Sequence, residues 1–402
     1  MMTIDDKLKL LISRTDCVVS VEELKEKLIR SEKQNRPLRV KLGIDASGPD
    51  IHLGFAVVLR KLRQFQELGH IAVLIIGDFT GMIGDPTGRS KTRPALSEEQ
   101  IKANMARYRE QIFKILIPER TEFRNNSEWL GKLTSKDIVN LTSKYTVARI
   151  LEREDFKNRL NSGLPLYIHE ILYPLFQGYD SVMVQADIEL GGADQYWNLL
   201  VGRELQREFN QPAQVIMTVP LLEGTDGKLK MSKSYNNYIG ITEPAREIYG
   251  KIMSIPDELI IKYFWLCTNL SDDQILKLEE RMRRGENPKT FKELLGKEIV
   301  ALYYSPQEAE AVSQEFEAVF KLKQVPQEIP EFKVQAGVEL NIVDLLILSK
   351  SFPSKSEARR KIKEGAIEID GQKITDIYYT IKISEPQVLK IGKHRFLKIT
   401  PE

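Results

Sequence analysis

The chain has 402 residues, 42% of them hydrophobic, and its 59 Lys and Arg nearly balance its 57 Asp and Glu, for a net charge of +2. That describes a soluble globular protein of two or three domains with ample core material. It excludes nucleic-acid binding through bulk positive charge, though not through a local basic patch. The two cysteines, Cys17 and Cys267, make neither a disulfide framework nor a zinc site and fit a reducing cytoplasm. The N-terminal MMTIDDKLKLLIS is too charged for a signal peptide, and no apolar run is long enough to span a membrane.

Residues 1–36 read as a helical lead-in, with Leu8, Leu11 and Ile12 on one face and Val21, Leu24, Leu28 and Ile29 on another. Arg39 to Leu62 then predicts a strand, a turn and a helix. Val40, Leu42 and Ile44 alternate, Gly48-Pro49 breaks the strand, and Leu53, Val57, Val58 and Leu62 take up helical spacing. This is the first half of a βαβ unit. His52 and Gly54 stand at the helix start, where free N–H groups and the positive helix end favour a phosphate. An isolated histidine there is more often a simple cap.

Gly69 ends that helix, and Ile71 to Ile76 is a continuous apolar run suited to a parallel strand covered on both faces. The following loop, GDFTGMIGDPTGRSKTR over 77–93, holds four glycines, Asp78, Asp85, Arg89, Lys91 and Arg93. It lies where open α/β sheets bind ligands, at a strand's carboxyl end. Helices are expected over 97–116, in one or two charged pieces over 135–161, and over Ile168 to Gln177. A short strand is expected at Ser181 to Gln185. Gly191-Gly192-Ala193-Asp194-Gln195 turns into a helix from Tyr196 to Phe209, and Val215 to Val219 is a further strand. Gly224 to Ser234 is a charged loop.

From Glu243 to Phe320 the period is helical, with Pro244, Pro256, Pro288 and Pro306 at the joints. Lys323 to Glu339 reads as a linker. Leu340 to Pro401 reads as a small last domain: two helical stretches, then short strands with Asp370-Gly371 as a hairpin turn. The expected fold class is therefore α/β, with domains at 1–240 (parallel-sheet), 241–322 (helical) and 340–402 (small α+β), the last reached through a linker at 323–339.

HLGF at 52–55, GGADQ at 191–195 and KMSKS at 230–234 are each weak signals. In this order on one α/β frame they resemble the class I aminoacyl-tRNA synthetases. GIDASGPDIHLG, GDFTGMIGDPTGRSKTRP, YPLFQGYD, GGADQ and PLLEG…KMSKS narrow the likeness to the bacterial tyrosyl-tRNA synthetases, over nearly the whole chain. The resemblance implies a Rossmann-type catalytic domain that activates tyrosine with ATP and passes it to tRNA(Tyr).

It also implies roles. His52, Lys230 and Lys233 would serve the phosphates, with Gln195 at the tyrosine carboxyl region. Ser47, Gly54, Phe55, Arg89, Arg93, Gly192, Asp194, Met231 and Ser232 would hold ATP, Asp194 and Gly192 at the ribose. Gly43, Asp45, Asp85, Tyr173, Gln177 and Asp180 would hold tyrosine, Asp180 accepting from the phenol. Mg2+ is expected with ATP, and no protein ligand set for a metal is visible. Tyr173 and Gln177 are four apart and so share a helix face. The sequence departs from the family pattern at Phe55, where a histidine is usual, at Ala46-Ser47 in place of Pro-Thr, and at Lys41, where one branch has a tyrosine.

The last domain resembles an S4-type RNA-binding domain. Lys355, Arg359, Arg360 and Lys363 would contact RNA phosphates. Family members are homodimers, and the interface is expected at about 135–165. A cytoplasmic location and no membrane partner follow. Two rivals stand beside this reading. One is an RNA-binding or splicing protein on a synthetase body that has lost activation, which Phe55 favours. The other is a paralogue with an altered amino acid or acceptor.

Overall fold

The computed structural model describes residues 2–44, 50–87, 98–321, 329–335, 337–392 and 395–402. They form two compact units, Met1–Ser313 and Gln314–Glu402. The first is built on six strands: β1 (Cys17–Val19), β2 (Arg39–Ile44), β3 (Ile71–Ile76), β4 (Thr121–Asn125), β5 (Ile188–Gly192) and β6 (Val215–Val219). Their order is β1-β6-β5-β2-β3-β4. β2 to β6 pair in parallel, and β1 caps the β6 edge antiparallel. The chain winds outward from β2 through β3 to β4, then returns to the other side of β2 for β5. The order therefore reverses between β2 and β5, which is where an α/β sheet of this kind opens a crevice at its strand ends.

The pieces form for local reasons. Ala72 to Ile76 are all buried, as a continuous apolar strand demands. The Leu53–Glu67 helix buries Leu53, Ala56, Leu59, Leu62 and Phe65 on one stripe. The Ile168–Val184 helix is fixed at its start by Arg159, whose guanidinium bonds both oxygens of Glu170 and the Pro165 carbonyl. Both side chains of that pair are almost fully buried. Removing one partner would cost about 3–5 kcal/mol, because the other charge would be stranded.

Two sequence expectations are corrected. Ser181 to Gln185 is not a strand: the helix runs on to Val184 and stops at Gln185, which adopts φ 50° and returns its N–H to the Ser181 carbonyl. The alternation of Val182 and Val184 is too short to outweigh the helical spacing of Tyr173, Gln177, Asp180 and Val184. The lead-in is not wholly helical either, since β1 interrupts it. An edge strand of three residues has almost no period to detect.

Helices follow at Ala245–Ser254, Ile260–Cys267, Asp272–Arg283, Pro288–Tyr303 and Pro306–Lys321. Among the described residues no helix is long and apolar enough to cross a membrane.

The second unit has its own core, including Leu345, Ala358, Ile362, Leu389 and Ile399. Its strands are β7 (Glu331–Val334), β8 (Glu339–Asn341), β9 (Ile367–Ile369), β10 (Gln372–Ile374), β11 (Thr380–Lys382), β12 (Gln387–Ile391) and β13 (Arg395–Pro401). They make a five-stranded sheet, β10-β9-β12-β13-β7, and a two-stranded one, β11-β8. Asp370 and Gly371 both take positive φ, 46° and 82°, in the hairpin turn between β9 and β10. The 323–339 stretch, read from sequence as a linker, contains β7, which pairs in parallel with β13.

Candidate active site

A cavity of about 310 Å³ opens at the carboxyl ends of β2 and β5, where Gly43 and Ile44 face Leu190, Gly191 and Gly192. The Ile168–Val184 helix supplies one wall. Tyr173, Gln177 and Asp180 line it together, as their spacing requires. Asp180 lies deep in the fold, 3% exposed. Its Oδ1 accepts from Trp129 Nε1 at 2.8 Å and its Oδ2 from Asn126 Nδ2 at 3.3 Å. Burial pushes the carboxyl up to about 7, against the pull of Lys41 and of the two donors. The buried Oε1 of Gln177 has no hydrogen-bond partner. An unpaired buried acceptor is costly and points to a missing donor.

A polar chain runs from Asp85 and Gln195 in the cavity lining to Asn198 and Arg153, which are buried outside it. Asp85 Oδ2 accepts from Gln195 Nε2 at 2.8 Å. Gln195 Oε1 accepts from Asn198 Nδ2 at 3.0 Å. Asn198 Oδ1 accepts from Arg153 Nη1 at 2.8 Å. Thr87 donates to Asp85 Oδ1 through both its N–H and its hydroxyl. The Gln195 amide is thereby oriented from both ends, its nitrogen toward Asp85 and its oxygen toward Asn198.

The mouth joins two distant segments. His52 is the N-cap of the Leu53–Glu67 helix, and its Nδ1 accepts from Phe55 N–H at 3.3 Å. Capping and a place in the cavity wall therefore coincide in one residue. Burial, and then the positive charges of Lys233 and Lys230, hold the imidazole down to about 4. It is neutral at pH 7, and with Nδ1 accepting, its Nε2–H is left as the donor.

The backbone ties this helix start to the stretch after the KMSKS loop. Leu53 N–H donates to the Ile239 carbonyl, and Ile241 N–H to the Ile51 carbonyl, each at 2.9 Å. Gly54 N–H donates to Met231 Sδ at 3.3 Å. A Cβ on Gly54 would lie 3.2 Å from His52 Nδ1 and 3.3 Å from Met231 Cβ, so a side chain here would press on both.

Lys230 pairs with Asp194 across the opening at 2.6 Å. Ser232 and Phe55 complete the rim. Lys233 does not line the cavity. Its Nζ sits 3.5 Å from the Tyr108 hydroxyl and 5.3 Å from that ring's centre. Burial lowers its ammonium to about 8, with Asp50 opposing.

Asp45, Ser47, Arg89 and Arg93 lie outside the described residues. Sequence reasoning passed over Asn126, Trp129, Asn198, Arg153 and Tyr108. Asn126 and Trp129, one turn apart after β4, left a faint local signal; Arg153 and Asn198 left none. In the second unit, Lys355, Arg359, Arg360 and Lys363 are all exposed on the Lys355–Lys363 helix, whose Ala358 and Ile362 face the core. Lys355 pairs with Asp344 and Arg360 with Glu364.

Residues 33–321 match the family described as tRNA synthetases class I (W and Y), and residues 321–397 the tyrosine–tRNA ligase SYY-like C-terminal domain. The chain is 50% identical to a tyrosine–tRNA ligase of Thermotoga maritima, covering 99% of this chain and 98% of the relative. It is 52% identical to one of Carboxydothermus hydrogenoformans, over 95% and 94%. In fold it is similar to a truncated Aspergillus nidulans mitochondrial tyrosyl-tRNA synthetase: TM-score 0.62, 23% identity, 80% of this chain and 95% of that one. It is also similar to the Archaeoglobus fulgidus tyrosyl-tRNA synthetase solved with L-tyrosine: TM-score 0.61, 21% identity, 77% and 100%. With the sheet, its switch-point cavity and the paired motifs at its mouth in place, the chain belongs to the class I tRNA synthetases of the W and Y family.

Proposed function

We propose that the chain is a tyrosine–tRNA ligase. A buried carboxylate at Asp180, lining the depth of a pocket whose mouth carries His52 and Lys230, is the observation that carries this reading. The tyrosine–tRNA ligases at about half identity over almost the full length support it.

Tyrosine lies with its phenol at Asp180, which accepts the hydroxyl hydrogen. Its ammonium takes Asp85, Tyr173 and the unpartnered Gln177 Oε1, with Gly43 and Asp45 in the same pocket. Gln195 turns its amide to the carboxylate. ATP enters as its Mg2+ complex, the metal carried on the triphosphate oxygens as part of the substrate. Its ribose takes Gly192 and Asp194, releasing Lys230 to the phosphates, while Gly54 and Phe55 give the adenine a close, flat approach. Met231 and Ser232 shape the loop that closes over it. Ser47, Arg89 and Arg93 are assigned to phosphate and pyrophosphate from the family resemblance.

A tyrosine carboxylate oxygen attacks the α-phosphorus, and the bond from that phosphorus to pyrophosphate breaks. His52 Nε2–H and the ammonium groups of Lys230 and Lys233 receive the charge that builds on the phosphate oxygens. Positioning and preorganised charge supply most of such a rate enhancement. A hydroxyl of the terminal tRNA ribose then attacks the tyrosyl carbonyl, losing its proton as AMP departs with the bonding pair.

Residues 1–240 carry this chemistry, 241–322 are a helical part, and 340–402 bind the tRNA through Lys355, Arg359, Arg360 and Lys363. The enzyme works in the cytoplasm. It is a homodimer through about 135–165, where Val139, Val147 and Leu160 are exposed apolar side chains, and the exposed apolar surface runs on to Tyr167 and Ile168, Ile168 by 75%. Ile168→Glu is expected to convert the dimer to monomer in sedimentation velocity; an unaltered dimer would place the interface elsewhere.

Tyrosine-dependent exchange of pyrophosphate into ATP is the deciding assay. Its absence in intact protein would leave an RNA-binding protein on a synthetase body. Within it, Asp180→Ala is expected to raise the tyrosine KM about 10- to 100-fold, the range for a hydrogen bond to a charged group, and the ATP KM far less. A site built to bond a hydroxyl is left unpaired by an analogue lacking it, a rule for which this family's tyrosine-over-phenylalanine choice is itself the standard example. Equal losses for both substrates would contradict the role given to Asp180.

A further inference from the structure

Lys41 is fully buried, which is rare for a lysine. The register of the parallel β2/β5 pair sets it directly opposite Glu189, itself 1% exposed. Partners in register point to one face of a sheet, and here that face meets the Ile168–Val184 helix. Lys41 Nζ stands 2.8 Å from Glu189 Oε1 and donates to Ser181 Oγ at 2.8 Å and to the Gln177 carbonyl at 2.9 Å. Ser181 Oγ donates in turn to Glu189 Oε2 at 3.0 Å, and Gln214 Nε2 donates to the same oxygen. Gly202 makes room for this: a Cβ there would fall 2.8 Å from Gln214 Nε2 and 2.9 Å from Ser181 Oγ.

The pair lies behind the pocket and not in it. Leu42, Gly43 and Ile44 of β2 line the cavity, whereas Lys41 has no exposed surface from which to touch a ligand. Its two helix contacts, Gln177 and Ser181, bracket Asp180 in the chain.

We propose that the buried Lys41–Glu189 pair is a specificity-determining positioning device: it clamps the helix so that Asp180 meets the phenol, and its cation keeps that carboxylate an acceptor. This rests on the reading of Asp180 as the phenol's partner. The charged groups acting on Asp180 are Lys41 from β2, which favours the carboxylate, and Glu189 from β5, which opposes it; Trp129 and Asn126 add neutral donors. Burial is the larger influence and sets the carboxyl near 7. The acceptor form is present above that pH and lost as pH falls through it.

Two variants should move this titration in opposite directions. Glu189→Gln removes the opposing charge and keeps the shape, at the cost of leaving the Lys41 ammonium without its buried partner. Lys41→Met with Glu189→Gln removes both, leaving no stranded charge, and Lys41 is the stronger of the two influences. The measurement is kcat/KM for tyrosine in pyrophosphate exchange, at saturating ATP, from pH 5.5 to 9.

The acid limb is expected to move down by about half a pH unit or more in Glu189→Gln and up by as much in the double variant. In the double variant at pH 7, the tyrosine KM should rise about threefold or more while the ATP KM changes less than about twofold. Limbs that stay in place, or move the same way in both variants, would overturn the proposal, because a merely structural pair has no reason to give opposite signs. If either variant does not fold, the movement in the other decides alone: downward in Glu189→Gln, upward in the double variant. Asp180→Ala separates the two levels. Normal tyrosine use in that variant would remove the phenol reading itself, whereas lost tyrosine use with unmoved limbs would remove only the inference about Lys41 and Glu189.

Discussion

Lys233→Ala is expected to slow formation of tyrosyl-adenylate by about 10²- to 10³-fold, the loss seen when one preorganised group facing a developing charge is removed. The tyrosine KM should barely change, because Lys233 stands outside the pocket, beside Tyr108. The effect should appear in single-turnover rates at saturating substrates, since the interaction forms only as pyrophosphate leaves. A loss smaller than threefold would remove Lys233 from the chemistry. The same site has a pH signature. Burial lowers the Lys233 ammonium to about 8, so its charge is present below that pH and lost above it. Activation by the unaltered enzyme should therefore decline as pH rises through about 8. His52, held near 4, is neutral on both sides of that change.

Removing residues 322–402 is expected to leave pyrophosphate exchange within about twofold and to cut tRNA charging about 100-fold at low tRNA concentration. A nucleic-acid contact surface governs affinity for the RNA and does not enter the first chemical step. The boundary matters. Cutting at 340 would leave β7 without β13 and Val334 without the core it belongs to. Replacing Lys355, Arg359, Arg360 and Lys363 together in the full chain is the finer form of the test. It should flatten the dependence of tRNA binding on salt by about three logarithmic units per unit, near 0.7–0.9 for each phosphate no longer neutralised. Charging that survives truncation at ordinary tRNA concentration would show the unit to be dispensable.

Much of the site was readable because its parts are local. A strand, a Gly-Pro break and a helix can be read from Arg39 to Leu62, since each depends on neighbours a few residues away. Tyr173 and Gln177 announce a shared helix face by spacing alone, and Asp180 joins that face because the helix runs on to Val184. The second unit's hairpin was legible for the same reason, as Asp-Gly suits two successive positive φ values. The short edge strand β1 and the true end of the Ile168–Val184 helix were not legible. In both, two or three residues of local pattern yield to pairing or packing supplied from elsewhere.

The chain's own letters determined the α/β class, the order of the motifs and the residue types offered to the phosphates in the proposed reaction. Tertiary structure alone decided the partners. Arg153 orients Asn198 from 45 residues away, Tyr108 receives Lys233 from 125 away, and Lys41 reaches Ser181 across 140. None of these distances has a period to read. The last follows from β5 returning to lie beside β2, a choice made by burial of whole sheet faces, and that choice puts a lysine and a glutamate in register behind Asp180.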